Sequence, residues 1–346
     1  MSPSTRPLPQ GGDLRDLPPG RDYLDLSTCA NRYGPPPAVA AALRDLDPRA
    51  LLPHPYEAEA RFVAAYAAYL GLPEGELVAG RGISEFIRLL AAVVPADEAV
   101  VITPDYTDTV ASFRRHLAPA GTETARTRLD RVAEAMRRFR YVVLSNPNNP
   151  LGLHLPRGEL AAICAANPGS TLVVDEAYID FTAAGLEASM SRAGVGNVAV
   201  LLSPNKLFGI AGTRTGALWT ADARLRELLR TQRPNWPISY LDSLVACAAV
   251  GSAGWAATTR ARLLATASRM EALLAPWHEN VVTGVPVHYR FVATREPERL
   301  RGLLAGAGIA VRAFSTTDPH RMPGLRITAP REAEFAALAQ AIGELP

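Results

Sequence analysis

Between Leu77 and Thr220 short apolar runs alternate with longer amphipathic ones, a rhythm that few folds accept. The runs Ala99–Thr103, Tyr141–Ser145, Thr171–Asp175, Val198–Ser203 and Gly216–Thr220 read as strands, and segments of helical pattern separate them. Strands that alternate with helices build a parallel sheet covered by those helices. Each of the first four strands ends in polar residues. In an open α/β sheet the ligand sits beyond the carboxyl ends of the strands, so these ends are expected to converge on one crevice.

Upstream, Asp22 to Pro37 reads as an extended arm closed by a Gly/Pro turn at Gly34-Pro35. Helices are expected over Ala38–Leu46 and Glu57–Leu70. In the second, Phe62, Val63, Tyr66 and Tyr69 recur at helical spacing and read as core packing. Past Arg233 the texture changes. Pro234 and Pro237 punctuate the chain, and an Ala-rich stretch from Tyr240 to Leu274 reads as one or two helices. A strand over Val285–Ala293, a helix over Pro297–Ala307, a strand over Ile309–Phe314 and a strand-helix pair from Leu325 follow. This pattern predicts a smaller α+β unit. The expected division is 1–47 as N-terminal arm and part of the small domain, 48–236 as the large domain, and 237–346 as the small C-terminal domain.

At 346 residues the chain exceeds what one hydrophobic core usually supports, which favours two domains. A formal net charge of +2 points to neither nucleic acid nor an anionic membrane as partner. Met1 to Gly12 is rich in Pro, Ser and Gly without an apolar centre and reads as a frayed lead-in rather than a signal peptide. No apolar run reaches membrane-spanning length. Cys29, Cys164 and Cys247 are widely spaced with no CxxC pair, which fits a reducing cytoplasm and gives no metal site.

Of the 36 lysine and arginine residues, all but Lys206 are arginine. A guanidinium stays protonated, whereas a desolvated amine can lose its proton and condense with a carbonyl. A sole lysine therefore reads as a nucleophilic amine, against the alternative of a chance residue on a solvated helix. Ser203 and Arg214 bracket it and offer a hydroxyl and a two-pronged guanidinium suited to phosphate oxygens. Gly80-Arg81-Gly82-Ile83-Ser84 opens a helix where backbone N–H groups can meet a phosphate, although the third glycine of GxGxxG is missing. Tyr106 ends one strand and suits a flat ring as well as it suits plain packing. Ser145-Asn146-Pro147-Asn148-Asn149-Pro150 is a stiff amide-rich loop that holds Asn149, or is simply a turn. Asp175, with Tyr178 after it, ends an apolar strand. A carboxylate there needs a cation, and a protonated pyridine nitrogen is one; the alternative is an N-cap.

Together these motifs resemble the fold-type I pyridoxal-phosphate-dependent aminotransferases of class I and II, most closely the histidinol-phosphate aminotransferase group, with threonine-phosphate decarboxylase a near relative. The resemblance runs from Asn31-Arg32-Tyr33-Gly34-Pro35 to Gly324-Leu325-Arg326-Ile327-Thr328. It implies a large domain with a mostly parallel sheet, a smaller α+β domain, and pyridoxal 5'-phosphate as cofactor. It also implies that Lys206 carries the cofactor as a Schiff base and moves the proton, and that Asp175 pairs with the pyridinium. Tyr178 and Asn149 would bind the phenolic oxygen, and Tyr106 would stack on the ring. Gly82, Ile83, Ser84, Ser203 and Arg214 would hold the phosphate. Arg326 would fork the substrate carboxylate, with Asn31, Tyr33 and Arg312 as further candidate substrate contacts.

Departures from the family pattern are Arg32 in the arm, Leu52 where a tyrosine reaches the partner subunit's cofactor, Asn205 before the lysine, and Tyr289-Arg290-Phe291. Tyr56 is close enough to stand in for the missing tyrosine. The expected activity is transfer of an amino group between a small α-amino acid, phosphorylated or of a specialised pathway, and a 2-oxo acid, in a cytoplasmic homodimer. The alternatives are a decarboxylase, a lyase or another enzyme of Cα chemistry on the same cofactor and fold, and a cofactor-binding regulatory module.

Overall fold

The computed structural model describes residues 10–121, 123–274, 280–282 and 284–344; residues 1–9 of the expected lead-in lie outside them. In chain order β1 (Leu24–Asp25), α1 (Pro37–Arg44) and α2 (Ala58–Leu70) come first. Then follow β2 (Leu77–Gly80), α3 (Ile83–Val93), β3 (Ala99–Ile102), α4 (Thr107–Ser112), β4 (His116–Leu117), α5 (Ala125–Arg138) and β5 (Tyr141–Ser145). Next are α6 (Arg157–Ala166), β6 (Thr171–Asp175), β7 (Val198–Leu202), β8 (Gly216–Thr220) and α7 (Ala223–Gln232).

A seven-stranded sheet in the order β2-β8-β7-β6-β5-β3-β4 forms the large domain. Only β8 opposes its neighbours, because the link from β7 has no crossover helix to bring the chain back parallel. The carboxyl ends of β2, β3, β5, β6 and β7 therefore share one edge with the amino end of β8. Register aligns Ser145 with Asp175, Asp175 with Leu201, and Gly80 with Gly216 along that edge.

Both faces of the sheet are covered, which is why its strands are continuous apolar runs. On β6, Leu172 and Val174 enter one core and Val173 the other; on β5, Val142 and Leu144 are divided from Val143 in the same way. Phe62 and Tyr66 of α2 are fully buried and stacked, as their helical spacing predicts.

The rest of the chain gives α8 (Tyr240–Val250), α9 (Ala253–Leu274), β9 (Asn280–Val281), β10 (Tyr289–Ala293), α10 (Pro297–Gly306), β11 (Ile309–Ala310), β12 (Arg312–Phe314), β13 (Gly324–Thr328) and α11 (Phe335–Gly343). An antiparallel sheet β12-β13-β10-β9 is the floor of the small domain. Strand β1 pairs with β11 and Leu26 is buried in the small-domain core, whereas Cys29 and Val39 pack into the large-domain core.

Three expectations shift. The division between domains does not fall at residue 237. Val245, Ala246 and Ala249 of α8 and Ala256 and Leu263 of α9 belong to the large-domain core, while Ala267, Met270 and Leu274 belong to the small one, so the boundary lies within α9. The strand expected over Val285–Ala293 begins only at Tyr289, because Val285 and Val287 are drawn into the large-domain core beside Gly152. The strand expected over Ile309–Phe314 is two, since the chain leaves β1 as partner and joins β13 around buried Val311. Among the described residues no single helix is long and apolar enough to cross a membrane, and α8 and α9 meet at 74°.

Candidate active site

A cleft of about 790 Å³ opens at the carboxyl edge of the large sheet, closed on its far side by β12, β13 and the arm. Lys206 lies in it, half-buried, on the turn after β7. The arm secures that turn: Asn31 N–H donates to the Lys206 carbonyl at 2.8 Å, and Asn31 Nδ2 donates to the Leu207 carbonyl at 2.8 Å. Burial pulls the Lys206 ammonium below its ordinary pKa, and Arg326 and Arg214 pull it the same way against Cys29 and Asp175. An amine so placed is easily made nucleophilic.

Asp175 ends β6 and is 5% exposed. Among the described residues one donor meets its carboxylate, the Ala177 N–H at 2.9 Å. Burial raises it to about 7, with Asp105 adding to the rise. A carboxylate held in this way is short of a cation, and a pyridinium N–H supplies one. Tyr178 is buried, touches Tyr289 edge-on at 5.1 Å, and is held protonated by burial and by Cys29, so it is a donor at neutral pH. Tyr106 O–H donates to Asp108 at 3.0 Å, and burial raises it to about 12.

Asn149 sits in the loop after β5. Its Oδ1 accepts from Arg326 Nη1 at 2.5 Å, and its own N–H donates to Ser145 Oγ at 3.0 Å, which leaves Nδ2 to donate into the cleft. Arg326 is 6% exposed and also donates to the Ser27 carbonyl at 2.9 Å, while its buried Nε has no partner among the described residues. A buried guanidinium N–H without an acceptor is costly, and a substrate carboxylate would satisfy it.

At the other end Gly82 has φ +76° and caps α3, and a Cβ on it would meet Arg214 Nη2 at 2.9 Å. A Cβ on Gly216 would in turn strike the Gly82 backbone at 2.8 Å. These two glycines let the Arg81–Ser84 backbone, the start of α3, Ser203 and Arg214 close into a cup whose N–H groups and guanidinium suit a phosphate. The under-compensated carboxylate and the glycine cup fit pyridoxal phosphate, and the orphaned Arg326 Nε fits a substrate carboxylate.

The structure brings Lys206, Asp175, Tyr178, Tyr106, Asn149, Gly82, Ile83, Ser84, Ser203, Arg214, Arg312 and Arg326 to one cleft. Asn31 and Tyr33 depart from expectation. Asn31 Nδ2 also donates to Thr259 Oγ1, and the Tyr33 ring lies 4.3 Å from the Arg262 guanidinium, so both brace the lysine turn and α9 instead of lining the cleft. Arg32 likewise turns outward, forking Glu334. Tyr289 O–H donates to the Asn148 carbonyl at 2.7 Å and shores up the asparagine loop. Sequence reasoning read Cys29 as a plain buried thiol and Ser145 and Asp105 only as members of their loop motifs, and passed over Asp108 and Arg321, which line the cleft. Asp105 lies inside a motif singled out only for Tyr106, whereas Arg321 stands in a loop with no periodicity to mark it.

This fold and cleft define a pyridoxal-phosphate enzyme of fold type I. Residues 21–342 match the model of the aminotransferase class I and II family, and the chain belongs to that family. It is 30% identical over 335 residues to histidinol-phosphate aminotransferase 2 of Burkholderia mallei, covering 93% of this chain and 92% of the relative. The solved histidinol-phosphate aminotransferase of Sinorhizobium meliloti in complex with pyridoxal-5'-phosphate superposes with a TM-score of 0.80 at 20% identity, covering 100% of this chain and 98% of that one. L-threonine-O-3-phosphate decarboxylase of Porphyromonas gingivalis superposes at 0.74 with 16% identity, over 94% and 98% of the two chains, a likeness of fold alone. The chain is thus a pyridoxal-phosphate-dependent aminotransferase of the histidinol-phosphate aminotransferase-like group, moving an amino group between an amino acid and a 2-oxo acid.

Proposed function

We propose that the amino donor carries two anionic groups, one of them a phosphate monoester or a second carboxylate. The observation behind this reading is that Arg312, Arg321 and Arg326 line the same cleft. Burial and the neighbouring Arg326, Arg321 and Arg301 pull Arg312 down to about 10, the mark of a positive field that an anion would relieve. Arg321 is paired with Asp318 at 3.2 Å and still reaches the cleft. Arg326 takes the first anion, and Arg312 with Arg321 the second.

Each of the other side chains has a place in the reading. Asp175 holds a proton on the pyridine nitrogen, Tyr178 and Asn149 donate to the phenolic oxygen, Tyr106 covers the ring, and the cup of Gly82, Ile83, Ser84, Ser203 and Arg214 holds the phosphate. When bound, pyridoxal phosphate supplies a ring that takes up the electron pair left at Cα. Lys206 would hold the cofactor through its amine and would carry the proton taken from Cα. Arg326 would fork the substrate carboxylate and so fix the orientation of Cα against Lys206.

The proposed assembly is a cytoplasmic homodimer. Leu52 is 89% exposed and Tyr56 73%, and Tyr56 meets Trp236, which stacks on His54 at 4.1 Å. Such an apolar, aromatic patch suits contact with a second copy, and Tyr56 is the residue proposed to reach across. The three cysteines are free, in keeping with a reducing compartment.

To test the substrate reading, the holoenzyme is mixed with histidinol phosphate, phosphoserine, glutamate, aspartate and alanine while cofactor absorbance and product are followed. A donor with two anions should convert the cofactor to its amino form with one carbonyl product per site. Preference for alanine or for histidinol phosphate, each with a single anionic group, or release of CO₂, would overturn the proposal.

A further inference from the structure

Beneath the cleft a guanidinium and a carboxylate are both removed from water. Arg128, on α5, and Asp105, after β3, are each 0% exposed, and Arg128 Nη2 donates to Asp105 Oδ2 at 2.9 Å. Such a pair is a poor way to stabilise a core, since desolvation offsets most of the attraction and apolar residues of equal volume do as well or better. Arg128 also lies 3.9 Å from buried Glu123, while the bonds of Asp105 and the remaining bonds of Arg128 gather at the ends of β3 and β5. The same Oδ2 accepts from Ser145 N–H at 2.8 Å and Ser145 Oγ at 3.0 Å, and Oδ1 accepts from Tyr106 N–H at 2.7 Å. Arg128 donates to the carbonyls of Ile102 and Pro104 at 3.0 and 3.2 Å. The pair thus ties the ends of β3 and β5 to each other.

From Ser145 the connection continues. Ser145 Oγ accepts from Asn149 N–H at 3.0 Å, and Asn149 Oδ1 accepts from Arg326 Nη1 at 2.5 Å. From the small domain, Arg321 Nη1 donates to the Asp105 carbonyl at 3.1 Å. One chain of hydrogen bonds therefore runs from Arg128 through Asp105, Ser145 and Asn149 to Arg326, with Tyr106 on a branch.

We propose that Asp105 and Arg128 are positioning residues for the transamination site, fixing together the ring-covering tyrosine, the phenolic-oxygen asparagine and the carboxylate-forking arginine. They touch neither cofactor nor substrate and act through Tyr106, Asn149 and Arg326. The proposal rests on the reading of those three residues given under Proposed function. Ordering them in advance matters because a displacement of about 1 Å costs on the order of 10²-fold in rate.

The test compares the wild-type holoenzyme with Arg128→Met, Asp105→Asn and the double variant. Arg128→Met leaves the buried Asp105 without a cation, and Asp105→Asn leaves Arg128 only Glu123 at 3.9 Å, so each is expected to lower the melting temperature. The double change removes both members of the pair while Glu123 keeps Arg131 at 2.5 Å, and should melt close to wild type. A purely structural pair predicts that the double variant regains function as well. The positioning role predicts that it does not: KM for the amino donor rises and kcat falls, together by at least about tenfold. The midpoint in the pH titration of the bound cofactor's visible absorbance also moves. Should the double variant not fold, Ser145→Ala breaks the same chain without touching a charge and is expected to give the same kinetic and spectral change. Wild-type kcat, KM and titration midpoint in a folded double variant, or in Ser145→Ala, overturn the proposal. If the wild type transaminates no donor at all, the functional reading fails separately, and the absorbance titration still decides this one.

Discussion

Arg326 and Asn149, 177 positions apart in sequence, are joined by a hydrogen bond of 2.5 Å between Nη1 and Oδ1. One comes from the small domain's β13, the other from the loop after the large domain's β5, so the group proposed to take the substrate carboxylate is tied to the group proposed to bind the cofactor's oxygen. Arg326→Lys keeps the charge but loses the fork. Charge-assisted bonds contribute about 1.5–3 kcal/mol each, so kcat/KM for the amino donor should fall roughly tenfold to hundredfold. Unchanged steady-state kinetics in this variant would show that the carboxylate binds elsewhere.

Lys206, as the sole lysine, makes the cofactor linkage unusually simple to locate. Borohydride reduction of the holoenzyme followed by peptide mapping should put the label on the peptide containing Lys206, and Lys206→Ala should abolish both label and turnover. Label on the N-terminal amine alone would contradict the assignment.

Much of this site is written locally in the sequence. The strand ends at Asp175 and Ser203 are legible because an apolar run stops at a polar residue, and Gly82 because only a residue without a Cβ fits φ +76° beside Arg214. What escapes is whatever depends on partners distant in sequence. Arg128 lies on an amphipathic helix among several arginines and looks like surface, yet it is fully buried because Asp105 lies beneath it. Asn31 and Tyr33 belong to a motif near the cleft, but their contacts with Thr259 and Arg262 of α9 decide where they point. The domain boundary escaped for the same reason. Nothing in the composition of α9 distinguishes the half that packs on the large sheet from the half that packs on the small one.

Asp175 predicts a pH dependence. Burial raises its carboxyl from 3.8 to about 7, so the folded apoenzyme binds a proton there that the unfolded chain releases. Stability from this group is fully present below about pH 4 and is lost as pH rises toward 7, with a slope of up to ~1.4 kcal/mol per pH unit. Glu176 and Asp180, raised to about 8 and about 6, act in the same direction. Chemical denaturation of the apoenzyme should therefore show stability falling between pH 4 and 7, and Asp175→Asn should flatten part of that fall. The same variant should still bind the cofactor but lose most turnover, since an amide does not hold the pyridinium. An equal slope in Asp175→Asn and wild type would mean that the carboxylate is not strained.

The last prediction concerns the exposed patch around Leu52. Leu51, Leu52 and Tyr56 are exposed, and Trp236, at φ 53° in a backbone region rare for a bulky residue, stacks on His54 at 4.1 Å beside them. Aromatic side chains ordered against one another on an open surface suit an interface, because little rotamer entropy remains to be lost on association. Leu52→Glu combined with Trp236→Ala places a charge in the patch and removes its largest anchor. Sedimentation analysis should then show a wild-type dimer and a variant shifted to monomer. If Tyr56 reaches the second copy's phosphate cup, the variant should also release cofactor more readily on dilution, and Tyr56→Phe should weaken cofactor binding while leaving the dimer intact. A wild type that sediments as a monomer while fully active would refute both parts. A Tyr56→Phe variant with wild-type cofactor affinity would refute only the second, leaving the patch as an interface whose tyrosine does not bind the neighbouring phosphate.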